Sequence, residues 1–347
     1  MTITPAPDRP MTTAEPRPPR RRRRRGALTT ACAVLLAALL ACPGLLPDSP
    51  GHLGSLADTL LPWTALTLPL LLVSALVRRS RTALAAVALP LVLWLTAFGS
   101  TLTDKSAGGG DLTVVSHNVN QDNPDPEGTA RQLAAAHADI LALEELSPGT
   151  APVYERTLAP AYRYHFFQGT VGIWSVFPLH DARSLPIMPW SRALRATAET
   201  PRGPLAVYVA HLPSVRVSPA AGFTTGARDA ALARLTGFIR AEDAPRAVVL
   251  GDFNGSADDR ALRPLTSRFA SAQATSGAGF GFTWPSGFPV VRIDQILVGG
   301  RRGATFGSPG STRSSSRDPQ RPPPGGGADR PLTCAGGTPE ERWRTRR

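Results

Sequence analysis

The sequence has little cysteine, little aromatic character and few charges for its 347 residues. Its three cysteines contain no Cys-x-x-Cys pair, which excludes a disulfide scaffold and the common zinc sites. Aromatic residues make up 6% and charged residues 18%, so apolar segments dilute the usual charge content of about a quarter. Six histidines are present and the last is His211, so the sequence beyond it offers no imidazole.

The net charge of +12 comes entirely from the two ends of the chain. Residues 1–26 carry a charge of +6, residues 301–347 carry another +6, and the residues between them sum to zero. A basic nucleic-acid-binding face is therefore not expected on the central part of the chain.

The N-terminal third is typical of a membrane anchor. Residues 1–26 are rich in Pro, Thr and Arg without periodicity, which predicts a disordered basic tail. Residues 27–103 contain three uncharged apolar stretches, which predict transmembrane helices at about 27–46, 60–77 and 82–102. The alternative is a cleaved signal peptide followed by a buried hairpin, because a signal peptide is also basic and then apolar.

The placement of arginine predicts the orientation of this anchor. Arg20–Arg25 precede the first stretch, and Arg78, Arg79 and Arg81 separate the second from the third. The loop 47–58 contains no Lys or Arg. Positive residues favour the cytoplasmic side, so we expect a multi-pass cell-membrane protein with a cytoplasmic N-terminus. Residues 104–110 predict a linker, and everything after it is placed outside the cytoplasm.

Residues 111–300 have the pattern of a soluble α/β domain. Apolar runs predict strands at 112–119, 140–143, 162–167, 172–176, 194–199, 205–210, 247–250 and 290–298. Helices are predicted from Asp125, an N-cap followed by Pro126, to about His137, and over 228–240. After Gly300 the apolar pattern ends, and residues 301–347 predict a disordered tail.

Polar residues stand where these predicted strands end, where sheet proteins gather ligand and catalytic groups. They are Asn118, Glu144, Glu145, His211, Asp252, Asn254 and Asp294. Most have an ordinary alternative. Asn118 and the Gly-Asp-Phe-Asn segment could form turns, Glu145 could be a carboxylate at the start of a helix, and His211 could bond a loop carbonyl. Asp294 is harder to explain in this way, because an acid inside an apolar strand is costly unless it is paired or binds a metal.

The ordered set resembles the endonuclease/exonuclease/phosphatase superfamily, which includes DNase I-like nucleases, neutral sphingomyelinases and inositol polyphosphate phosphatases. The matching segments are HNVN at Asn118, LALEEL at Glu145, AHLPS at His211, GDFN at Asp252 and Asn254, and RIDQILV at Asp294. The resemblance covers about residues 112–298. It implies a four-layer α/β sandwich, here preceded by three transmembrane helices.

The resemblance also implies a chemistry, metal-dependent hydrolysis of a phosphoester. Glu145 would bind Mg²⁺ or Mn²⁺, with Asp252 and Asn118 completing the metal site. Asp252 and Asn254 would orient the attacking water, Asn118 would hold a phosphate oxygen, and His211 would donate to a non-bridging oxygen. Asp294 would belong to the same catalytic set. The substrate would be a lipid headgroup, a nucleic acid or a small phosphodiester, and the oligomeric state is left open.

One part of the family pattern is missing, a Ser-Asp-His motif after the last strand whose histidine activates water. No histidine follows His211. An allowed coding of residues 320–327, read one base later, gives Ser-Asp-His-Arg-Pro-Val-Val. We therefore hypothesise a frameshift between about Gly300 and Pro319, which the nucleotide sequence across residues 300–327 tests. The alternative is an authentic tail, since GC-rich codons yield Pro, Arg and Gly in any frame.

Without that histidine two other functions stay open. One is a non-catalytic, membrane-anchored binding protein that retains the pocket. The other is a membrane protein whose soluble domain only supports assembly with a partner. Loss of an acid–base group lowers a rate by about 10²–10⁴, so the chain as written is expected to be nearly inactive and less stable than a chain with the motif restored.

The orientation is testable with a single introduced cysteine. In a chain whose three native cysteines are replaced by serine, Ser106→Cys should react with a membrane-impermeant thiol reagent in intact cells, because residue 106 is placed outside. Arg79→Cys is the matched control and should react only after lysis. The reverse labelling pattern would overturn the orientation.

Overall fold

The structure, a computed structural model, describes residues 26–106, 110, 112–300 and 333–334. The predicted N-terminal tail and nearly all of the predicted C-terminal tail lie outside these residues. The chain divides into two compact units. The first contains the described residues up to Ala41 together with Trp63–Trp94, and the second contains Cys42–Pro62 and the residues from Leu95 onward.

The first unit is helical and apolar. It contains α1 (Ala27–Ala41), α3 (Thr67–Val77) and most of α4 (Arg81–Phe98). Helices α1 and α3 are joined by a hydrogen bond of 2.8 Å between the hydroxyls of Thr29 and Ser74. Its buried positions include several alanines, which let helices approach closely.

By length and composition, two helical segments of the described chain could cross a membrane, Leu53–Val77 and Arg81–Leu102. The helix at the predicted first span, Ala27–Ala41, has 15 residues, fewer than the roughly 18–20 that a bilayer requires. The predicted transmembrane helix at 27–46, and with it a total of three, is therefore not confirmed.

The second unit is built on two sheets and a small ribbon. The first sheet has the strand order β13–β1–β2–β4–β3 and the second β11–β12–β10–β7–β6–β5, while β8 pairs with β9. The strands are β1 Thr113–Asn118, β2 Ile140–Glu144, β3 Tyr164–Gln168, β4 Val171–Ser175, β5 Leu179–Ser184, β6 Ala193–Thr200, β7 Gly203–Ala210, β8 Val217–Ser218, β9 Gly222–Phe223, β10 Ala247–Asp252, β11 Phe269–Ser271, β12 Asp294–Gly299 and β13 Thr333–Cys334.

Helices accompany both sheets. They are α2 Leu53–Leu60, α5 Pro126–Ala135, α6 Ala151–Leu158, α7 Gly226–Arg240, α8 Arg263–Thr266 and α9 Ala272–Ser276. Short 3₁₀ turns cover Pro43–Leu45, Leu61–Leu66, Gly99–Leu102 and Arg260–Leu262. The predicted cap is present at α5, where the Asp125 carboxylate accepts a hydrogen bond of 2.8 Å from the backbone N–H of Gly128.

Three apolar clusters hold the layers of this unit together. The central cluster lies between the sheets and joins residues such as Ile140 and Ile173 to Val207 and Leu250. A second cluster packs α5 and α6 on the first sheet, and a third packs α7 on the second sheet. The predicted mixed α/β class is confirmed, with two sheets facing each other and helices on their outer faces.

Two segments differ from the sequence predictions. The predicted last strand 290–298 forms a strand only from Asp294, because the backbone of Val291 is instead bonded to Thr283 and Trp284. In addition, Thr333 and Cys334 of the predicted disordered tail pair in parallel with Thr113 and Val114 of β1. Within the described chain, the rest of β1 has a paired strand only on its β2 side.

A buried ion pair lies on the outer face of the second sheet. The Arg195 guanidinium donates to both carboxylate oxygens of Glu242 at 3.0 and 3.2 Å, and the Tyr208 hydroxyl donates to the same carboxylate at 2.6 Å. Burial alone raises the pKa of Glu242, but these bonds and one from the Ala244 N–H outweigh it and leave the pKa below the usual value.

Glu242 should therefore give this unit an acid-sensitive stability. Because its folded pKa is depressed, its contribution is present above the unfolded pKa of about 4.3 and is lost as pH falls through the folded pKa. Glu242→Gln should remove this dependence of stability on acid pH and lower the unfolding free energy at pH 7 by about 3 kcal/mol, since Arg195 then keeps only the exposed Asp181 carboxylate, at 3.9 Å. Urea unfolding followed by tryptophan fluorescence at pH 3–7 measures both. Glu127→Gln, in the exposed pair with Arg131, is the control and should change little.

Candidate active site

Strand register brings the predicted polar residues to one end of the two sheets. Asn118 ends β1 and lies beside Glu144, the last residue of the parallel strand β2. In the other sheet, Asp252 ends β10 and is paired with Asp294, the first residue of the antiparallel strand β12. Because the two sheets pack face to face, both sets of side chains meet at the same end of the central core.

Asn118 links the carboxylates of the two sheets. Its amide Nδ2 donates to Oε1 of Glu145 at 2.9 Å and to Oδ2 of Asp252 at 3.2 Å. Its Oδ1 accepts from the backbone N–H of Asn120 at 3.0 Å. This arrangement places Asn118 as the donor that holds two carboxylates together, so its predicted role as a metal ligand stays a prediction.

Glu145 and Glu144 occupy different environments although they are adjacent. Glu145 has a φ of +60° and a partly exposed side chain that faces Asn118. Glu144 is fully buried and accepts a hydrogen bond of 2.8 Å from the Ser116 hydroxyl. Burial, followed by the nearby Asp294 carboxylate, raises the pKa of Glu144 well above its usual value. Burial thus disfavours the charged form of Glu144, and Glu145 is the side chain presented to the site.

The turn after β10 fixes Asp252. Gly251 has a φ of +133°, and a Cβ there would lie 2.0 Å from the carbonyl oxygen of Ala210, so only glycine fits. Asn254 is held at a φ of +45°. Its backbone N–H donates to Oδ1 of Asp252 at 2.8 Å, and its side-chain amide donates to the Leu212 carbonyl at 2.9 Å.

Asp252 and Asp294 carry like charges in a desolvated place. Burial raises the pKa of Asp252 to about 7, and the Asp294 carboxylate adds to the increase. Burial likewise raises the pKa of Asp294, although hydrogen bonding to Thr283 opposes the shift. A bound cation would offset this crowding of carboxylates, so the site attracts positive charge.

His211 has a partner that the sequence interpretation did not include. Nη2 of Arg192 lies 2.6 Å from Nε2 of His211, and Nε of Arg192 donates to the His211 carbonyl at 2.9 Å. A guanidinium has only donors, so Nε2 accepts in this arrangement and is not free to donate to a phosphate oxygen. Burial, with the Arg192 charge second, lowers the pKa of His211 to about 3, which keeps the ring neutral.

The donor chemistry fits a hard divalent cation. One ligand atom each from Glu145, His211 and Asp252 lie within 4.8 Å of one another. Since the imidazole Nε2 faces Arg192, the carboxylate oxygens of Glu145 and Asp252 are the available ligands, and oxygen ligands suit Mg²⁺. These carboxylates line a cavity of about 640 Å³, which Asp294, Trp284 and Arg292 also line.

Arg192 and Thr283 were missed by sequence reasoning. The signal for Arg192 was available, because β6 and β7 form a hairpin in which Ala193 pairs with Ala210. One residue further along this register, Arg192 comes opposite His211. Thr283 had no comparable signal. Its hydroxyl accepts from the backbone N–H of Ile293 at 3.2 Å and of Asp294 at 3.4 Å, across a loop of ten residues.

Comparison with solved structures finds similar proteins at low sequence identity. TDP2 of D. rerio, solved with a single-strand DNA product, is 20% identical over 55% of this chain and 85% of that chain, with a TM-score of 0.46. Sphingomyelinase C from Streptomyces griseocarneus is 15% identical over 54% and 82%, with a TM-score of 0.41. Comparison with curated protein sequences gives no match.

The family comparison covers more of the chain. The model of the "Endonuclease/Exonuclease/phosphatase family" matches residues 115–332, which is more than half of the sequence and includes Asn118, Glu145, His211, Asp252 and Asp294. On this match and the convergence of those residues, the chain belongs to the endonuclease/exonuclease/phosphatase family.

Proposed function

We propose that the chain is a metal-dependent phosphoester hydrolase, anchored in the cell membrane with its second unit outside the cytoplasm. The observation that carries the proposal is the meeting of Glu145 from one sheet with Asp252 and Asp294 from the other on the wall of one cavity. Acids are rarely gathered in a buried place unless a cation or a reaction uses them.

The contacts of each residue indicate its proposed role in binding the metal or positioning water. A bound Mg²⁺ or Mn²⁺ would be held by Glu145 and Asp252 and would offset charge on the phosphoryl oxygens. Asn118 holds these two carboxylates at fixed separation through its amide. Asn254 orients Asp252 through its backbone N–H, and the pair would position the attacking water. Asp294 adds negative charge beside Asp252.

Arg192 takes over the donor role first expected of His211. Nε and one N–H of Nη2 are bonded to His211, and the remaining guanidinium N–H groups would donate to a substrate oxygen. Burial lowers the pKa of Arg192, and the nearby charges of Glu145 and Asp252 oppose that shift. His211 then serves to aim the guanidinium, which suits a histidine that stays neutral.

The cavity favours a compact phosphoester over a long nucleic acid. Arg292, which is bonded to the Ser271 hydroxyl at 3.2 Å, is the one Lys or Arg among the described residues that line it, and Arg192 adds one cation near Glu145 and Asp252. Nucleic-acid binding depends on several such cations along the phosphate backbone. A lipid headgroup or a small phosphodiester therefore fits better than a long nucleic acid strand.

A second function, non-catalytic phosphoester binding, is favoured by one observation. The last histidine is His211, and its Nε2 is occupied by Arg192. His117 also lines the cavity, but burial lowers its pKa to about 4 and makes it a weak base, so the chain would bind a phosphoester with little turnover. The two functions share the pocket and differ only in turnover.

Hydrolysis of bis-p-nitrophenyl phosphate in the presence of Mg²⁺ or Mn²⁺ separates these functions. We expect the detergent-solubilised chain as written to be slower by about 10²–10⁴ than a version with the Ser-Asp-His reading frame restored. Asp252→Asn in the restored chain should reduce activity to background. Binding of the probe without turnover in both versions would favour the binding protein. Absence of both binding and turnover would contradict both functions.

The metal assignment is tested with two adjacent glutamates. Glu145→Gln should weaken Mg²⁺ or Mn²⁺ affinity about tenfold or more, because it removes a ligand carboxylate. Glu144→Gln is the matched control and should change affinity little, since this side chain is fully buried and bonded to Ser116. Isothermal titration calorimetry measures both. Equal affinities in wild type and Glu145→Gln would contradict the assignment.

A further inference from the structure

The segment Cys42–Pro62 joins the first two apolar stretches and includes the end of one and the start of the next. It belongs to the same compact unit as the candidate active site. Ser55 and Asp58 on its helix α2 are both fully buried. Asp58 also lies in the N-terminal part of Leu53–Val77, the helical stretch that could by composition cross a membrane. Because its carboxylate is buried and paired, this N-terminal part belongs to the second unit.

Asp58 binds the turn that follows the Asp252–Asn254 segment. Its carboxylate accepts from Nε and Nη2 of Arg260 at 2.8 and 3.2 Å, and from the Arg260 backbone N–H at 3.0 Å. The other guanidinium bonds of Arg260 go to the carbonyls of Leu46 and Pro43 at 2.7 and 2.9 Å. Each of these guanidinium bonds is therefore made to Cys42–Pro62.

Ser55 reaches the active-site turn through a relay of buried groups. Its hydroxyl donates to Oδ1 of Asp259 at 2.7 Å. Oδ2 of Asp259 accepts from Nη1 of Arg228 at 2.7 Å, and the same Nη1 donates to the carbonyl of Asn254 at 3.3 Å. Asp259 and Arg228 are both fully buried, so water cannot substitute for these bonds.

We infer that Ser55 and Asp58 are positioning residues for the candidate active site: Ser55 acts through Asp259 and Arg228 on the backbone of Asn254, and Asp58 holds Arg260, the residue next to Asp259. Asn254 is held in a left-handed conformation that a non-glycine residue adopts only when its surroundings enforce it. Arg228 fixes its carbonyl, while its N–H fixes Asp252. A segment distant in sequence thus sets the geometry of Asp252. The catalytic consequence rests on the proposed function, whereas the structural relay does not.

Amide hydrogen exchange on the full chain in detergent tests the relay without requiring activity. Ser55→Ala and Asp58→Asn should both speed exchange in the peptide 259–262, which contacts the segment directly. If the relay operates, exchange should also rise about tenfold in the peptide 252–256, which holds no direct partner of Ser55 or Asp58. Thr197→Val is the matched control, because it removes one hydroxyl bonded to the buried Arg195.

The outcomes are distinct. Faster exchange in 259–262 with unchanged exchange in 252–256 would overturn the inference, because the segment would then only cap the turn. The same would follow if Thr197→Val affected 252–256 equally. In the tail-restored chain, Ser55→Ala should lower kcat about tenfold with KM unchanged, since orientation and not binding is lost. A tail-restored chain that does not turn over the probe defeats the proposed hydrolase function, while the exchange result still decides the relay.

Discussion

The second unit depends on keeping three carboxylates together where water is largely excluded. Glu145, Asp252 and Asp294 repel one another, and burial is the first cause of the raised pKa values of the last two. The fold holds them with neutral donors, above all the Asn118 amide that bonds two of them. The two sheets supply the rigidity, since Asp252 and Asp294 are fixed by strand register and Glu145 by the end of β2.

This constraint bears on the charges of the groups around the carboxylates. Burial and the nearby Asp294 carboxylate raise the pKa of Glu144, which is bonded to Ser116, and so disfavour a further negative charge beside Glu145. On the opposite side Arg192 supplies a positive charge, but it is tied to a neutral His211, so it offsets the carboxylates without forming a direct ion pair with them. The site is thereby held ready for a cation and an anionic substrate instead of being neutralised internally.

The mixed α/β class and the meeting of Asn118, Glu145, Asp252 and Asp294 could be predicted from the sequence, because apolar runs end at each of these residues. Helix α6 and strand β5 were not predicted, since His180, Asp181 and Arg183 break the apolar pattern of β5. The pairing of Ser55 with Asp259 was beyond the reach of pattern reasoning. These residues are 204 positions apart, and each is a common polar residue at an ordinary helix or turn.

The inferred relay from Ser55 to Asn254 gives the segment Cys42–Pro62 a role in positioning the active site, in addition to its place in the proposed membrane anchor. A simple anchor would only hold the second unit near a membrane, and its loops would carry no buried charge. Here the loop between two apolar stretches contributes Asp58, a fully buried acid whose removal leaves Arg260 without its carboxylate partner. The same contact places this loop and the active-site turn on one side of any membrane. That agrees with the orientation expected from arginine placement, since the loop 47–58 contains no Lys or Arg.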